Sequence, residues 1–334
     1  MNYGLIAIYD TDFDYANSLA NYFRLKGCLS SEIVVFTKTT SFNEFIKEHS
    51  IDILLISREL LDTVSSAFLG RNMYILCSSK NFSYDGAGHC LYRFSSAEDI
   101  LQETMACYEP DGMMPAITFT GTTKSQLIGI YSPVCRCGKT SFSISLAIQY
   151  SIHSSCLLLC MDEASPLKYL LHTDTHKKTL DDLLYYFLQT PHSFESKLIS
   201  IVQSLCGVDV IPPSQKLAIY SELTPSDWVR FLQALAEMGR YEYIIIDLGT
   251  VSPVHPLLTA FNHLYVPTIS DDEYSVDKIA VFKEFLHNVV PDERLHTEEI
   301  CLPYISYHRG DQEYLQDLSS GPMGQLTASI VNKS

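Results

Sequence analysis

Residues 127–142 decide the fold, and they read Leu-Ile-Gly-Ile-Tyr-Ser-Pro-Val-Cys-Arg-Cys-Gly-Lys-Thr-Ser-Phe. The stretch begins as an apolar strand, Leu127–Tyr131, and ends in a helical pattern that includes Phe142. Gly138-Lys139-Thr140 stands directly before the helix. A helix start offers free N–H groups, a lysine adds charge and a hydroxyl can hold Mg²⁺. The stretch therefore predicts a phosphate-binding loop.

The loop departs from the usual pattern Gly-x-x-x-x-Gly-Lys-Ser/Thr. Pro133 takes the first glycine position, and Val134, Cys135, Arg136 and Cys137 fill the interior. Glycines serve in such loops where a positive φ or a close approach to phosphate is needed. Two interpretations stay open: the loop still holds nucleotide, with Arg136 adding a positive charge, or it keeps the fold and has lost tight binding. For the two cysteines we favour tolerated small side chains over a metal site, because no matching Cys or His pair lies nearby in the sequence.

Acidic residues follow two later apolar strands. Tyr243–Ile246 runs into Asp247, and Gly249 comes two residues later. At the carboxyl end of a parallel strand a carboxylate can reach a magnesium shell, and a glycine lets backbone approach a phosphate. Asp162 or Glu163, after Cys156–Met161, would orient an attacking water. The alternatives are that Asp247 caps a turn and that Asp162 and Glu163 are merely solvated.

The first hundred residues alternate between strand-like and helix-like patterns. The five strand-like runs are Gly4–Tyr9, Glu32–Thr37, Ile51–Ile56, Met73–Cys77 and Cys90–Phe94. Alternation of this kind indicates parallel crossovers and a doubly wound sheet. Residues 107–126 are rich in Pro, Gly and Thr and predict a linker with one short strand at Ala116–Phe119. We therefore expect an α/β chain of two tandem doubly wound domains, 1–106 and 127–334.

Several expectations concern the second half. The spacing predicts helices at Leu180–Leu188 and Ser196–Cys206, and a helix capped by Thr224 with Pro225 in its first turn. Weaker strand patterns are His263–Val266 and Cys301–Ser306.

Composition limits the classes of function. The 334 residues are 46% hydrophobic and 19% charged, which excludes a largely disordered chain. Lys and Arg number 23 against 39 Asp and Glu, so the net charge of −16 argues against coating nucleic acid or adhering to anionic lipid. We find no apolar run near the roughly 18 to 20 residues of a membrane span and no secretory signal. Ten cysteines, mostly in apolar segments, are typical of reduced thiols, so we expect a cytoplasmic protein.

Together, three segments resemble one group of ATPases. They are Gly129–Thr140, Gly207–Pro213, and Leu223–Trp228 leading to Tyr241–Gly249. In order and spacing they are similar to the deviant phosphate-loop ATPases of the MinD/ParA group, and within it to the TadZ/CpaE branch. That resemblance implies a receiver-like (flavodoxin-like) domain followed by a P-loop NTPase domain that binds ATP and Mg²⁺.

The resemblance also implies roles for single residues. Lys139 becomes the phosphate-loop lysine, Thr140 and Asp247 belong to the Mg²⁺ shell, and Asp162 orients water, so Lys139 and Asp162 are the catalytic candidates. The implied nucleotide-binding set is Pro133, Val134, Cys135, Arg136, Cys137, Gly138, Lys139, Thr140, Ser141, Asp247 and Gly249. The family's signature lysine would fall at Val134 and is absent, which implies weak or no ATP hydrolysis.

The first domain departs from a phosphorylatable receiver. Asp10 and Asp12 are present after the first strand, but the third strand ends in Ser57 instead of an aspartate, and Arg93 lies near the lysine position. Without the acceptor carboxylate no acyl phosphate can form. The half resembles a pseudo-receiver used for protein contacts, and the alternative is a plain flavodoxin-like sheet.

The resemblance implies an ATP-binding, TadZ-like factor that dimerises and marks where a Tad (Flp-type) pilus machine is assembled. Partners would recruit it to the cell pole or the inner membrane face, without membrane insertion or nucleic acid binding. One alternative is an active ParA/MinD-type ATPase that positions a chromosome, a plasmid or the division machinery. Another is a phosphotransferase acting on a small metabolite.

Overall fold

The computed structural model describes most of the chain. The described residues are 4–26, 32–64, 72–79, 84, 88–108, 125–162, 164–171, 178–189, 194–214, 223–249, 254–268, 273–289, 295–304 and 312–333. The expected strand at Ala116–Phe119, most of the expected linker and Glu163 lie outside them.

The structure is built from alternating strands and helices. The strands are β1 Leu5–Tyr9, β2 Glu32–Phe36, β3 Ile53–Ser57, β4 Met73–Cys77, β5 His89–Tyr92, β6 Gln126–Ile130, β7 Cys156–Met161, β8 Gln203–Leu205, β9 Val208–Ile211, β10 Tyr243–Leu248, β11 His263–Thr268 and β12 His296–Cys301. The helices are α1 Phe13–Leu25, α2 Thr39–Glu48, α3 Ala97–Cys107, α4 Lys139–Ser151, α5 Leu167–Leu170, α6 Leu180–Gln189, α7 Phe194–Ile201, α8 Pro225–Glu237, α9 Val254–Leu257, α10 Glu273–Val289, α11 Gln312–Ser320 and α12 Pro322–Val331. Short 3₁₀ helices span Arg58–Thr63 and Leu258–Ala260.

The chain divides into two compact units. The first contains residues 1–120 and 185–201, and the second contains residues 121–184 and 202–334. Thus the first unit takes in α7, from the stretch that we expected in the second domain. Lys197 of α7 donates to the carbonyl of Ala106 at 2.6 Å, and Ile199 belongs to the apolar core of the first unit.

The first unit holds a five-stranded parallel sheet in the order β2-β1-β3-β4-β5. This is the strand order of flavodoxin-like doubly wound sheets, in which the order reverses between β1 and β3. In this order the carboxyl ends of β1 and β3 lie side by side, which brings Asp10 and Ser57 to one edge of the sheet. Two helices of this unit begin with a side-chain cap: Asp12 accepts from the N–H of Tyr15, and Ser96 accepts from the N–H of Asp99.

The second unit holds a seven-stranded sheet in the order β12-β11-β6-β10-β7-β9-β8. All pairs are parallel except β8 with β9. Its central strands β6, β10 and β7 are almost wholly buried, which explains why they read as continuous apolar runs. The predicted capping of α8 is confirmed: Thr224 and Asp227 form a capping box, and Pro225 begins the helix.

The predicted helix Ser196–Cys206 is wrong in its second half. The helix ends at Ile201, and β8 and β9 then form a hairpin. Its two turn residues, Cys206 and Gly207, have φ of 49° and 86°. Two successive positive φ values are typical of the mirror-image turns that suit the twist of a hairpin.

The predicted strand Cys301–Ser306 is also wrong where it can be compared: β12 ends at Cys301, residues 302–304 are not strand, and 305–306 lie outside the described residues. β12 is an edge strand whose residues are exposed apart from Ile300. A polar edge strand contains no apolar run, so hydrophobic patterning does not predict β12.

Polar side chains join α4 to α11. Ser141, Ser145 and Gln149 are spaced four residues apart and lie on one face of α4. Ser141 Oγ lies 2.9 Å from Tyr314 Oη, Ser145 donates to the Leu318 carbonyl at 2.6 Å, and Gln149 donates to the Ser319 carbonyl at 2.8 Å. Apolar residues of α4, α11 and α12 share one core around this row.

None of the helices in the described ranges combines the length and the apolar character needed to cross a bilayer.

Candidate functional site

The loop between β6 and α4 has the backbone of an anion cradle. Gly138, just before the helix, has φ of 86°, and Arg136 has φ of 59°. Left-handed residues alternating with right-handed ones turn successive N–H groups toward one point. The N–H groups in the first turn of α4 have no partner inside the helix. Gly138 has room for a side chain, because an added Cβ would come no closer than 3.5 Å to Leu302 Cδ1. The position favours glycine because of its positive φ.

Ser132 ties the start of the loop to β11. Its hydroxyl donates to the carbonyl of Pro267 at 2.6 Å and accepts from the N–H of Val134 at 3.1 Å. The N–H of Tyr131 donates to the carbonyl of Tyr265 at 3.1 Å. The first half of the loop is therefore held by hydrogen bonds, and the N–H of Val134 is already used.

Lys139, the first residue of α4, forms an ion pair with Asp247, the second-to-last residue of β10. The Asp247 side chain is fully buried and that of Lys139 is 16% exposed. The other carboxylate oxygen, Oδ2, lies 3.4 Å from Cys160 Sγ on the neighbouring strand β7. Both oxygens of a buried carboxylate thus have a partner, as a buried charge requires.

Electrostatics keep Lys139 charged. Burial acts to lower the pKa of its amine, but the adjacent Asp247 carboxylate outweighs burial, so the pKa is raised. Asp162 acts in the same direction. At neutral pH the site therefore presents an ammonium group in a largely water-free place, where its attraction to an anion is strong.

Burial also raises the pKa of the Cys160 thiol well above its usual range, and the negative charge of Asp247 adds to this effect. Cys160 therefore stays a neutral thiol, and its one proton can go to Asp247 Oδ2 or to Ser165 Oγ, 3.2 Å away. Sequence reasoning did not single out Cys160, because its contact with Asp247 joins two strands that lie 87 residues apart.

Asp162 and Gly249 meet where β7 and β10 end. Asp162 Oδ1 accepts from the N–H of Ala164 at 3.0 Å, so this carboxylate shapes the turn after β7. A Cβ on Gly249 would lie 2.5 Å from the Met161 carbonyl and 2.8 Å from Asp162 Cα. The structure thus gives Gly249 a packing reason, close approach to β7, in addition to the phosphate approach that the sequence suggests.

The other predicted loop residues divide by exposure. Val134 and Cys137 are buried, whereas Cys135 and Arg136 are exposed. Pro133, Thr140 and Ser141 are half-buried. Burial raises the pKa of the Cys137 thiol, so it is protonated at neutral pH.

The sequence did not indicate the contact of Ser141 with Tyr314 of α11. Nor did it indicate the Ser132 bridge. Both partners lie more than a hundred residues away along the chain.

A nucleotide with Mg²⁺ fits this arrangement. The backbone from Cys135 to Thr140 and the Lys139 ammonium would hold the phosphates, and the Thr140 hydroxyl and Asp247 would face the metal shell. Bound Mg²⁺ would supply neutralisation of phosphate charge. Val134, buried with its N–H taken by Ser132, contributes no cation.

The first unit carries a second acidic cluster, at the carboxyl ends of β1 and β3. Asp10 is fully buried; its Oδ1 accepts from the N–H of Asp12, and its Oδ2 has no hydrogen-bond partner. Arg93 Nη2 lies 3.6 Å from Asp10 Oδ2 and 3.8 Å from Asp12 Oδ2. Ser57 is buried, and its hydroxyl is also unpartnered. Burial raises the pKa of Asp10, and Arg93 offsets only part of this effect.

The sequence matches no protein-family profile and no curated protein. Among solved structures, the chain is similar to a ParA family ATPase from Chlorobium tepidum TLS, at 16% identity over 63% of this chain and 93% of that one, with a TM-score of 0.47. It is also similar to a putative plasmid partition protein from Borrelia burgdorferi B31 bound to AMPPNP, at 16% identity over 63% and 98%, with a TM-score of 0.47. A third is cobyrinic acid a,c-diamide synthase from Mycobacterium smegmatis with bound ADP and magnesium, at 14% identity over 62% and 94%, with a TM-score of 0.45.

Proposed function

We propose that the second unit binds ATP with Mg²⁺ at the loop before α4, and that the protein acts as a MinD/ParA-type assembly factor. The observation that carries this proposal is the ion pair between Lys139 and Asp247. It places the lysine at the start of a helix, next to a buried carboxylate at a strand end. A phosphate-binding lysine and a carboxylate of a metal shell need this juxtaposition.

Nucleotide binding then becomes an exchange of partners. With a triphosphate bound, Lys139 would pair with the phosphates instead of Asp247, and the Asp247 carboxylate would be free to face the hydrated Mg²⁺. The bound state differs from the free state in which groups neutralise the two charges, so ATP can bias one conformation over the other. Such a bias is limited by the difference in ATP affinity between the two states.

We propose that turnover is slow. Val134 occupies the position of the signature lysine, and this residue is only 6% exposed. A buried valine cannot offset charge on the transferred phosphoryl group. Arg136 is exposed two residues away and is the nearest candidate for a substitute cation in the loop.

The finer proposal is a TadZ-like role. It rests on the resemblance of the sequence and on Ser57, which leaves the edge of the first sheet without an acceptor carboxylate. The first unit would then serve as a pseudo-receiver that contacts pilus assembly proteins, while ATP favours a homodimer of the second. We propose a cytoplasmic protein that such partners bring to the pole or the inner membrane face.

Calorimetric titration of the full chain with ATP, with and without Mg²⁺, tests binding. We expect Lys139→Ala to weaken ATP by about 100-fold, because a hydrogen bond to a charged group contributes about 1.5–3 kcal/mol. Thr140→Ala should remove most of the dependence on Mg²⁺. Lys168→Ala is the control, since Lys168 is an exposed lysine of the same unit, and it should bind ATP normally.

Phosphate release and oligomeric state separate the functions. Bound ATP, a nucleotide-dependent dimer and background phosphate release support an assembly factor. Robust release that needs Lys139 and Asp162 would instead support an active ATPase. Absence of ATP binding by the wild-type chain would refute the proposal, and circular dichroism shows whether each variant is folded.

A further inference from the structure

The strands β11 and β12 bring two histidines and a glutamate together on one face of the sheet. Their parallel register sets His263 against His296. Glu298 lies two residues after His296, and the alternation of side chains along a strand puts both on the same face. These residues lie at the beginning of β11 and β12, whereas the phosphate loop follows the end of β6.

The three side chains are close enough to share one ion. Their potential ligand atoms all lie within 4.8 Å of one another. His263 Nε2 lies 3.8 Å from Glu298 Oε2, and the two imidazole rings have centroids 4.5 Å apart at an interplanar angle of 67°. His263 Nε2 is buried and has no hydrogen-bond partner, which is costly for a polar atom. A bound ion at this position would satisfy it.

The donor set selects the kind of ion. Imidazole nitrogens suit zinc and its neighbours in the first transition row, whereas Mg²⁺ and Ca²⁺ prefer sites made of oxygen. Two histidines and a glutamate are a known catalytic zinc set, with a fourth position left for water. We propose that His263, His296 and Glu298 bind a divalent transition-metal ion, zinc being the best fit.

Little movement is needed to close the site. Bonds to zinc of about 2.0–2.2 Å place neighbouring ligand atoms about 3.4 Å apart in a tetrahedron. His296 and Glu298 are exposed on an edge strand, so rotation of their side chains can bring them in.

An ion here would join β12 to the rest of the sheet. β12 has one neighbouring strand and buries only Ile300 among its own residues. A metal held by His263 from one strand and by His296 and Glu298 from the other adds a cross-strand link that the folded chain has and the unfolded chain lacks. Metal should therefore raise the melting temperature of the protein.

The test is a titration of the metal-free full chain with Co²⁺ and with Zn²⁺, followed by visible absorption of Co²⁺ and by calorimetry. We expect one tight site per chain, with an absorption spectrum that lacks thiolate charge transfer. His296→Gln and Glu298→Gln should each weaken metal by at least about 100-fold, the upper end of the loss usual when a residue behind a ligand is changed. Both residues are exposed, so these variants should fold.

Two controls match the variants. Glu299→Gln changes the next carboxylate on the same strand, which faces the opposite side and pairs with Lys283. His153→Gln removes an exposed histidine elsewhere in the unit. Both should keep wild-type affinity and the wild-type rise in melting temperature with Zn²⁺. Equal binding by all four variants, a thiolate band from one of the free cysteines, or no binding by the wild-type chain would each overturn the site.

Discussion

In each of the two sheets a buried aspartate lies at the carboxyl end of a central strand and faces a cation. The two sites are built differently. Asp247 in the second unit has a direct ion pair with Lys139 on Oδ1 and the Cys160 thiol near Oδ2. Asp10 in the first unit has a backbone donor on Oδ1 and none on Oδ2, and Arg93 stays 3.6 Å away.

The difference shows what turns a strand-end acid into a binding site. In the second unit the cation is the first residue of a helix, and a left-handed glycine precedes it, so backbone N–H groups converge where the cation lies. In the first unit the cation comes from the residue after β5, and the neighbouring strand ends in Ser57. The site in the first unit has charged side chains without a phosphate-loop backbone beside them, and the site in the second unit has both.

Asp247→Ala should have the largest effect on the free energy of unfolding. It leaves the Lys139 ammonium buried without its partner, and loss of one member of a buried ion pair costs about 3–5 kcal/mol. We expect a loss of that size in the free energy of unfolding, measured by urea denaturation followed by circular dichroism.

Asp277→Ala is the control for this variant, because Asp277 is an exposed aspartate on α10 of the same unit. It should change stability by less than about 0.5 kcal/mol. The double variant Lys139→Met with Asp247→Leu should recover much of the loss, since it removes both charges. Equal stability of Asp247→Ala and Asp277→Ala would mean that the pair is not buried in solution.

Cys160→Ala should make the surroundings of Asp247 more like those of Asp10, whose Oδ2 has no hydrogen-bond partner. The change takes the thiol from Oδ2 and leaves that oxygen without this donor, so we expect a loss of about 1–3 kcal/mol in urea denaturation. Cys156→Ala is a matched control, because Cys156 is buried in the same strand and on the same face but has no contact with Asp247. It measures the loss from the cavity alone. If both variants lose the same stability, the thiol contributes nothing to the carboxylate.

Asp10→Asn should have the smallest effect, and the opposite sign. Because burial raises the pKa of Asp10 in the folded protein, the folded state binds its proton more tightly than the unfolded state does. The stability linked to that proton is present below pH 3.8 and is lost as pH rises through the raised pKa. The variant has no such loss, so it should be more stable than wild type at pH 7 by on the order of 1 kcal/mol.

Thermal denaturation between pH 4 and pH 8 measures the advantage of Asp10→Asn, which should grow with pH. Asp12→Asn serves as the control: Asp12 is more exposed, also faces Arg93, and caps α1 in a way that asparagine can replace. A variant less stable than wild type at pH 7 would show that Arg93 stabilises the ionised carboxylate more than burial penalises it.

The sequence predicts the parts of this fold that are buried along their whole length. Met73–Cys77 and Cys156–Met161 are strands with the predicted bounds, because strands covered on both faces are continuous apolar runs. The sequence also predicts Asp247 at the end of an apolar strand and Lys139 at the start of a helix, and the structure has both there.

Other features depend on pairing between distant segments, which no local pattern records. The helical spacing of apolar residues continues from α7 into β8, so the sequence predicts a helix where the β8–β9 hairpin lies. The dipeptide Cys206-Gly207, between residues that alternate in polarity, is the local pattern that indicates the turn. The contact of Cys160 with Asp247 requires the order of strands in the sheet. The meeting of His263 with His296 requires their register.

The row of hydrogen bonds along α4 joins the helix that begins with Lys139 to α11. Ser141 stands two residues after Lys139 and its hydroxyl meets Tyr314, so a shift of α11 would be transmitted to the start of α4. A protein that binds α11 would therefore act on the candidate phosphate loop, and a ligand in that loop would act on α11 in return.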